Sequence, residues 1–173
     1  MAPFCCNKSC NFLNIHHLTN YQLIVILSID SKKSCMEVLF IVLSFKSNKN
    51  EIEKFLRDMK NILGDESFNL HDNMKVVKSK KKEEKYSTPY TMVDLEYDDS
   101  DVVECLKELT IKEYSETLVD KDNLEPPLLY VFGKNISNKQ VYIKVKIKGD
   151  KAKYVLCVSF HYAEHEMSFP YFK

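Results

Sequence analysis

Glycine is scarce in this chain of 173 residues, with only three, and tryptophan is absent. So few glycines leave no GxGxxG or GxxxxGK[ST] loop, which removes the phosphate-cradling turns of the common nucleotide-binding folds. The chain also lacks an apolar run of the roughly 20 residues that a membrane-spanning helix needs. Its two early apolar stretches, residues 21–29 and 37–45, are kept apart by Asp30-Ser31-Lys32-Lys33-Ser34. No basic region leads into an apolar run and a small-residue cleavage site at the start, so no signal peptide is expected. The expected compartment is the reducing cytoplasm, where the six cysteines do not imply a disulfide framework. Cys5, Cys6 and Cys10 with His16 and His17 match no standard zinc spacing, and neither a metal nor another cofactor is expected. No internal repeat is visible. The formal net charge is zero, which argues against a generally basic nucleic-acid binder.

What is present is a chain able to bury one core. Hydrophobic residues make up 45% and charged residues 29%, as in ordinary soluble domains. The zero total conceals segregated charge. Residues 94–125 hold twelve acids against three lysines, whereas residues 134–153 hold seven lysines against one aspartate. Residues 75–85 add six lysines against two glutamates. Such blocks are ordinarily solvated faces, but they can set up a local field.

Residues 1–49 read as an extension ahead of a domain spanning residues 50–173. The extension is open to three readings: two strands, one interfacial hairpin, or an upstream addition with Met36 as a second possible start. From Asn50, which can cap it, a helix carries Ile52, Phe55, Leu56, Met59, Ile62 and Leu63 until Gly64. Residues 74–78 read as a strand, residues 80–85 as a lysine-rich loop, and residues 86–95 as the antiparallel partner of that strand. Asp101 is expected to cap a second helix. The signature Thr110-Ile111-Lys112-Glu113 is expected to open a third, ending near Leu118. After Pro126-Pro127 come a strand at residues 128–132, a terminal hairpin and a last edge strand at residues 167–172. Helices set before a mostly antiparallel sheet give an α+β class.

The hairpin carries the chemistry. Val141, Ile143, Val145 and Ile147 alternate with Tyr142, Lys144, Lys146 and Lys148, as in a half-buried strand. Residues 155–161 alternate as well, beyond a turn at Gly149-Asp150-Lys151. Matching Leu156, Val158 and Phe160 to the first apolar set pairs Ile147 with Leu156, Val145 with Val158 and Ile143 with Phe160. The same register brings Tyr142 opposite His161 and Lys144 opposite Ser159. A phenol, an imidazole and an amine then converge on one open face. Metal-free RNA cleavage needs such groups: a base for the ribose 2′-hydroxyl, an acid for the leaving oxygen, and cations for the phosphorane. Tyr142, His161 and Lys144 are the candidate catalytic residues, and Lys146, Lys148 and Lys134 the candidate RNA-binding ones. Solvent faces of ordinary strands also carry Lys and Tyr, and that plainer reading stands beside it.

Other residues have quieter readings. His161 and His165 with Cys157 nearby are spaced for a helix rather than for strand and turn, so packing is preferred to metal binding. Ser159 lacks a nucleophile-elbow context. Phe169-Pro170-Tyr171-Phe172 suits core closure, with base stacking by exposed rings as the alternative.

The stretch Leu95-Glu96-Tyr97-Asp98, then Asp101-Val102-Val103, then Leu109-Thr110-Ile111-Lys112-Glu113-Tyr114-Ser115-Glu116-Thr117-Leu118, resembles the middle of the MqsR (motility quorum-sensing regulator) toxins. Gln140-Val141-Tyr142-Ile143-Lys144-Val145 looks like that family's "xVYLKITV", and residues 155–161 look like its closing "VLIVSFK". Order and approximate spacing hold over residues 52–161. The resemblance implies a RelE-like α+β fold and a metal-independent mRNA interferase, the toxin of a type II toxin–antitoxin pair. It implies mRNA, free or on the ribosome, as substrate. It also implies a cognate antitoxin carrying a zinc-binding part and a DNA-binding helix-turn-helix. No membrane partner is expected, nor DNA by the chain itself. The family's catalytic tyrosine falls on Tyr142 and its strand lysine on Lys144. Two family lysines fall on Glu116 and His161, and the family glutamine near Leu128 is not retained. Glu116 could serve as a base or repel phosphate, and His161 could preserve proton transfer. A non-catalytic RNA- or protein-binding module on the same scaffold is the alternative.

Overall fold

The computed structural model describes residues 44–120 and 127–173. The early cysteines, the first apolar run and Pro126 lie outside the described residues, and of the second run only Ser44 and Phe45 lie within them. The described chain is α+β. Its elements are β1 (Ser44–Phe45), α1 (Lys49–Leu63), α2 (Leu70–Asn73), β2 (Met74–Val76), α3 (Thr88–Asp94), α4 (Asp99–Glu108), β3 (Tyr114–Leu118), β4 (Leu129–Ile136), β5 (Lys139–Lys148) and β6 (Tyr154–Tyr162). The six strands form one open sheet in the order β1-β3-β4-β5-β6-β2. Every pairing is antiparallel except β2 with β6.

The core lies on one face of that sheet. Ile52, Met59 and Leu63 of α1, Met92 of α3, and Val102 and Leu106 of α4 pack onto Phe132, Val141, Ile143, Val145, Val155 and Phe160. Phe55 stacks on Tyr130 with centroids 4.0 Å apart, fixing α1 over β4. The opposite face carries a smaller cluster of Leu118, Leu129 and Val131, joined by Tyr142, Val158 and Met167.

The α1 cap is not Asn50. Asn48 occupies that position: its side chain accepts from the Glu51 N–H at 3.0 Å, and the Glu51 carboxylate accepts from the Asn48 N–H at 3.1 Å. The reciprocal box satisfies two amides that the first helical turn leaves without partners. Asn48→Ala should therefore cost about 1 kcal/mol in chemical denaturation. The exposed Asn50→Ala should stay within about 0.5 kcal/mol of wild type. In the same way α4 is capped by Asp98, with the expected cap Asp101 serving as the third residue of the box.

Residues 86–95 form no strand. A 3-10 turn at Glu84–Tyr86 leads into α3, where the Ser87 hydroxyl caps the Tyr90 N–H and Pro89 lies in the first turn. Thr88 and Thr91 explain the site of this helix. Their hydroxyls accept from the Phe160 and Tyr162 N–H groups at 3.2 and 3.1 Å, occupying β6 edge donors beyond the reach of β2. Because α3 takes the place of the expected partner strand, β2 pairs with β6 instead.

The expected third helix also fails. Thr110 and Glu113 do form a capping box, but it closes one 3-10 turn, and the chain then extends as β3. The Tyr114 side chain accounts for the change. It is fully buried against Phe132, and its hydroxyl bonds Thr117 at 2.8 Å and accepts from the Ser47 N–H at 2.9 Å.

The hairpin register is right for Tyr142↔His161, Ile143↔Phe160 and Lys144↔Ser159, and then breaks. A bulge places Val145 opposite Cys157, Lys146 opposite Leu156 and Ile147 opposite Val155. Val158 is the extra residue. It is diverted to the second face, so that Val155, Cys157 and Phe160, all fully buried, can share the core. Residues 167–172 are not an edge strand. They run as a strap that closes on a turn, and the Tyr171 hydroxyl donates to the Ser47 carbonyl at 2.8 Å.

Candidate functional site

Two neighbouring central strands, β5 and β6, bring Tyr142 and His161 together. Their rings stack with centroids 5.1 Å apart and planes 18° from parallel. Lys144 and Ser159 lie two residues further along on the same face, and Glu116 of β3 approaches from the far side of β4. β4 has Gly133 opposite Tyr142, where an added Cβ would come within 2.8 Å of Met167 Sδ and of the Phe169 ring. The missing side chain lets the strap lie down on the sheet. The expected open face is therefore a cleft of about 460 Å³, with residues 163–168 forming one wall.

His161 is 5% exposed and held at both ring nitrogens. Nδ1 lies 2.8 Å from the Tyr162 carbonyl, which can only accept, so Nδ1 carries the proton. Nε2 then presents its lone pair, and the Lys81 ammonium donates to it at 3.0 Å. Burial is the main influence holding His161 below its ordinary 6.5, with the Lys81 and Lys144 charges acting in the same direction. Near neutral pH the ring is uncharged, with its lone pair toward the cleft. The Tyr142 phenol is pushed up to about 12, chiefly by burial and then by the Glu116 and Glu164 carboxylates. It stays protonated and can donate.

The depressed His161 value has a sign for stability. Below pH 6.5 the unfolded chain binds a proton that the folded ring resists, so stability falls as pH drops toward the folded value. The Tm of the wild type should decline through that window. His161→Gln, which does not titrate, should lose that part of the decline.

The other candidates separate. Lys146 is 3% exposed, and its ammonium is bound by Asp120. Lys134 points to the helical face, where it pairs with Glu108 at 3.1 Å and Glu113 at 3.6 Å. Lys148 lies opposite Tyr154, at the far end of β5 from Tyr142. Only Tyr142, Lys144 and His161 of the six line the cleft.

Two contributors went unassigned in the sequence. Lys81 enters from the loop after β2 and also pairs with Glu164 at 2.5 Å. Glu164, with Lys81 as its main influence, is held below the usual carboxylate range. Each lay inside a polar run with no periodicity to mark it. The cleft thus opposes two ammonium groups, Lys81 and Lys144, to three carboxylates, Glu116, Glu164 and Glu166.

Cys105 and Cys157 are buried thiols, both pushed up to about 12 by burial. Among the described residues no group of three or more His, Cys, Asp or Glu is placed to hold a metal. Among the same residues no helix is long and apolar enough to cross a membrane. Comparison of the chain with protein-family models, with curated proteins and with solved structures finds no match.

Proposed function

We propose that the cleft cleaves RNA by attack of a ribose 2′-hydroxyl on the adjacent phosphodiester. One observation carries the reading. A buried, uncharged imidazole with its lone pair toward the cleft is stacked on a protonated phenol, with Lys144 beside them.

His161 Nε2 takes the proton of the 2′-hydroxyl, whose oxygen then bonds to phosphorus. The P–O5′ bond breaks, and O5′ takes the Tyr142 proton as it leaves. The products are a 2′,3′-cyclic phosphate and a 5′-hydroxyl end. Lys144 offsets charge gathering on the phosphorane oxygens. His161 returns its proton through water to the Tyr142 phenolate, which restores both groups.

The wider reading rests on the sequence resemblance and on composition: a RelE-like toxin acting on mRNA in the cytoplasm and silenced by a cognate antitoxin. Three carboxylates in the cleft favour a second reading, a non-catalytic module whose Tyr142/His161 face binds a protein or RNA. The test is cleavage of RNA by the full chain in excess chelator, analysed for cyclic-phosphate ends. Wild type is compared with His161→Ala and Tyr142→Phe. Folded wild type that leaves RNA intact would sink the cleavage reading and leave the second.

A further inference from the structure

Lys81 is the one cleft cation that a loop delivers; Lys144 is fixed within a central strand. It stands in a run of exposed lysines with Lys80 and Lys82, and it alone of the three lines the cleft. Its ammonium divides between two acceptors, His161 Nε2 at 3.0 Å and the Glu164 carboxylate at 2.5 Å. The first contact has a cost for chemistry. With Nδ1 committed to the Tyr162 carbonyl, Nε2 holds the ring's accessible lone pair, and Lys81 covers it. A base so covered cannot take a proton.

We infer that Lys81 is a phosphate-binding side chain whose resting partners are surrogates for substrate. A phosphodiester replaces the Glu164 carboxylate and draws the ammonium off His161, which uncovers the base. The inference rests on the cleft being a phosphodiester site, as proposed above.

Three physical points carry it. A phosphodiester offers Lys81 an anionic acceptor in place of a neutral nitrogen, and the ammonium is attracted more strongly to a full opposite charge than to the uncharged His161 ring. The Glu164 side chain is 42% exposed, so water can receive the displaced carboxylate. The lysine sits on a loop, so it can move without disturbing the sheet that holds Tyr142 and His161. Substrate binding and release of the base thus become a single event.

The charged and titratable groups that line the cleft with His161 are Lys81 from the loop, Tyr142 and Lys144 from β5, Glu116 from β3, and Glu164, His165 and Glu166 after β6. The test titrates the His161 ring by NMR and measures binding of a 2′-O-methyl RNA hexamer, which has no nucleophile and cannot be cleaved. Wild type is compared with Lys81→Ala, Lys81→Arg and Glu164→Gln, each checked for an unchanged Tm. In the absence of RNA, Lys81→Ala should raise the pH at which His161 titrates, by removing a neighbouring cation. It should weaken hexamer binding on the order of tenfold and flatten the dependence of log affinity on log salt by about one unit. Lys81→Arg should retain most of the binding. Glu164→Gln should bind more tightly than wild type. Bound hexamer should raise the His161 titration in the wild type by more than in Lys81→Ala, where only the phosphate charge acts and no ammonium is drawn away.

The inference is overturned if the wild type does not bind the hexamer. Equal binding by Lys81→Ala, or a His161 titration that bound hexamer leaves unmoved in the wild type, overturns it as well. RNA cleavage plays no part in these readouts. A wild type that binds through Lys81 but cuts nothing would remove the cleavage reading alone. RNA cleavage by Lys81→Ala at the wild-type rate and substrate affinity would remove the Lys81 inference alone.

Discussion

His161→Ala is expected to lower RNA cleavage by about 10²–10⁴-fold, the range over which a positioned general base contributes. Alanine leaves space where a buried ring stood, so loss of activity has to be separated from loss of fold. His161→Gln serves that purpose. Its amide can donate to the Tyr162 carbonyl in place of Nδ1, yet it cannot accept a proton near neutral pH. It should be as inactive as the alanine variant while unfolding close to wild type at pH 8. Tyr142→Phe keeps the ring stack on His161 and loses only the hydroxyl, and a loss of at least about 10²-fold is expected. The pH profile supplies an independent check. A base whose protonation is held below pH 6.5 gives a kcat/KM that rises with pH and reaches half its plateau below that value. If His161→Gln retains the wild-type rate, the imidazole is not the base.

Phe132→Ala is expected to cost about 3–5 kcal/mol, more than any other substitution considered, because the ring joins three elements. It is fully buried, stacks on Phe55 of α1 with centroids 6.3 Å apart, and takes the edge of Tyr114 of β3 at 5.9 Å. Truncation removes the transfer free energy of the ring and leaves a cavity that the sheet on one side and α1 on the other cannot close. Against a typical total of about 5–15 kcal/mol, the loss puts the fold near its limit. In urea the midpoint should fall by about 2 M with little change in slope. Val93→Ala is the contrasting case. That side chain is 79% exposed, and its removal should be close to neutral.

The parts of the fold legible in the sequence are those in which one residue type repeats on one face. Val141, Ile143 and Val145 alternate without exception, and the strand and its pairing with His161 follow from that pattern. The bulge does not follow. Val155, Val158 and Cys157 are all acceptable in a core, and only the volume beneath α1 and α4 decides which of them turns away. Residues 86–95 misled because Tyr90, Thr91 and Val93 favour strands locally, whereas the deciding signals were the Ser87 cap and Pro89. Thr110-Ile111-Lys112-Glu113 shows the converse error: a true capping box that starts one turn and no more. Within the cleft, Tyr142, Lys144 and His161 were readable from strand register. Lys81 was not, since nothing local separates it from Lys80 or Lys82; a contact with a residue 80 positions away does. Lys146 misled for the same reason in reverse, as alternation predicts which face a side chain takes but not that Asp120 waits there.

Sheet order also sets which parts of the site open together. β5 and β6 are interior strands, and β2 is a three-residue edge strand joined to β6 across most of the domain's length. Amide protons of Tyr142 and His161 should exchange only with near-global unfolding, while those of Met74, Lys75 and Val76 should exchange through a lesser, sub-global opening. Each such opening carries the loop after β2, and Lys81 with it, away from an otherwise intact Tyr142–His161 pair. The native ensemble should therefore include a minor population in which the imidazole is uncovered with no ligand present. A mutation that loosens β2, far from any reacting atom, should enlarge that population and shift the His161 titration upward.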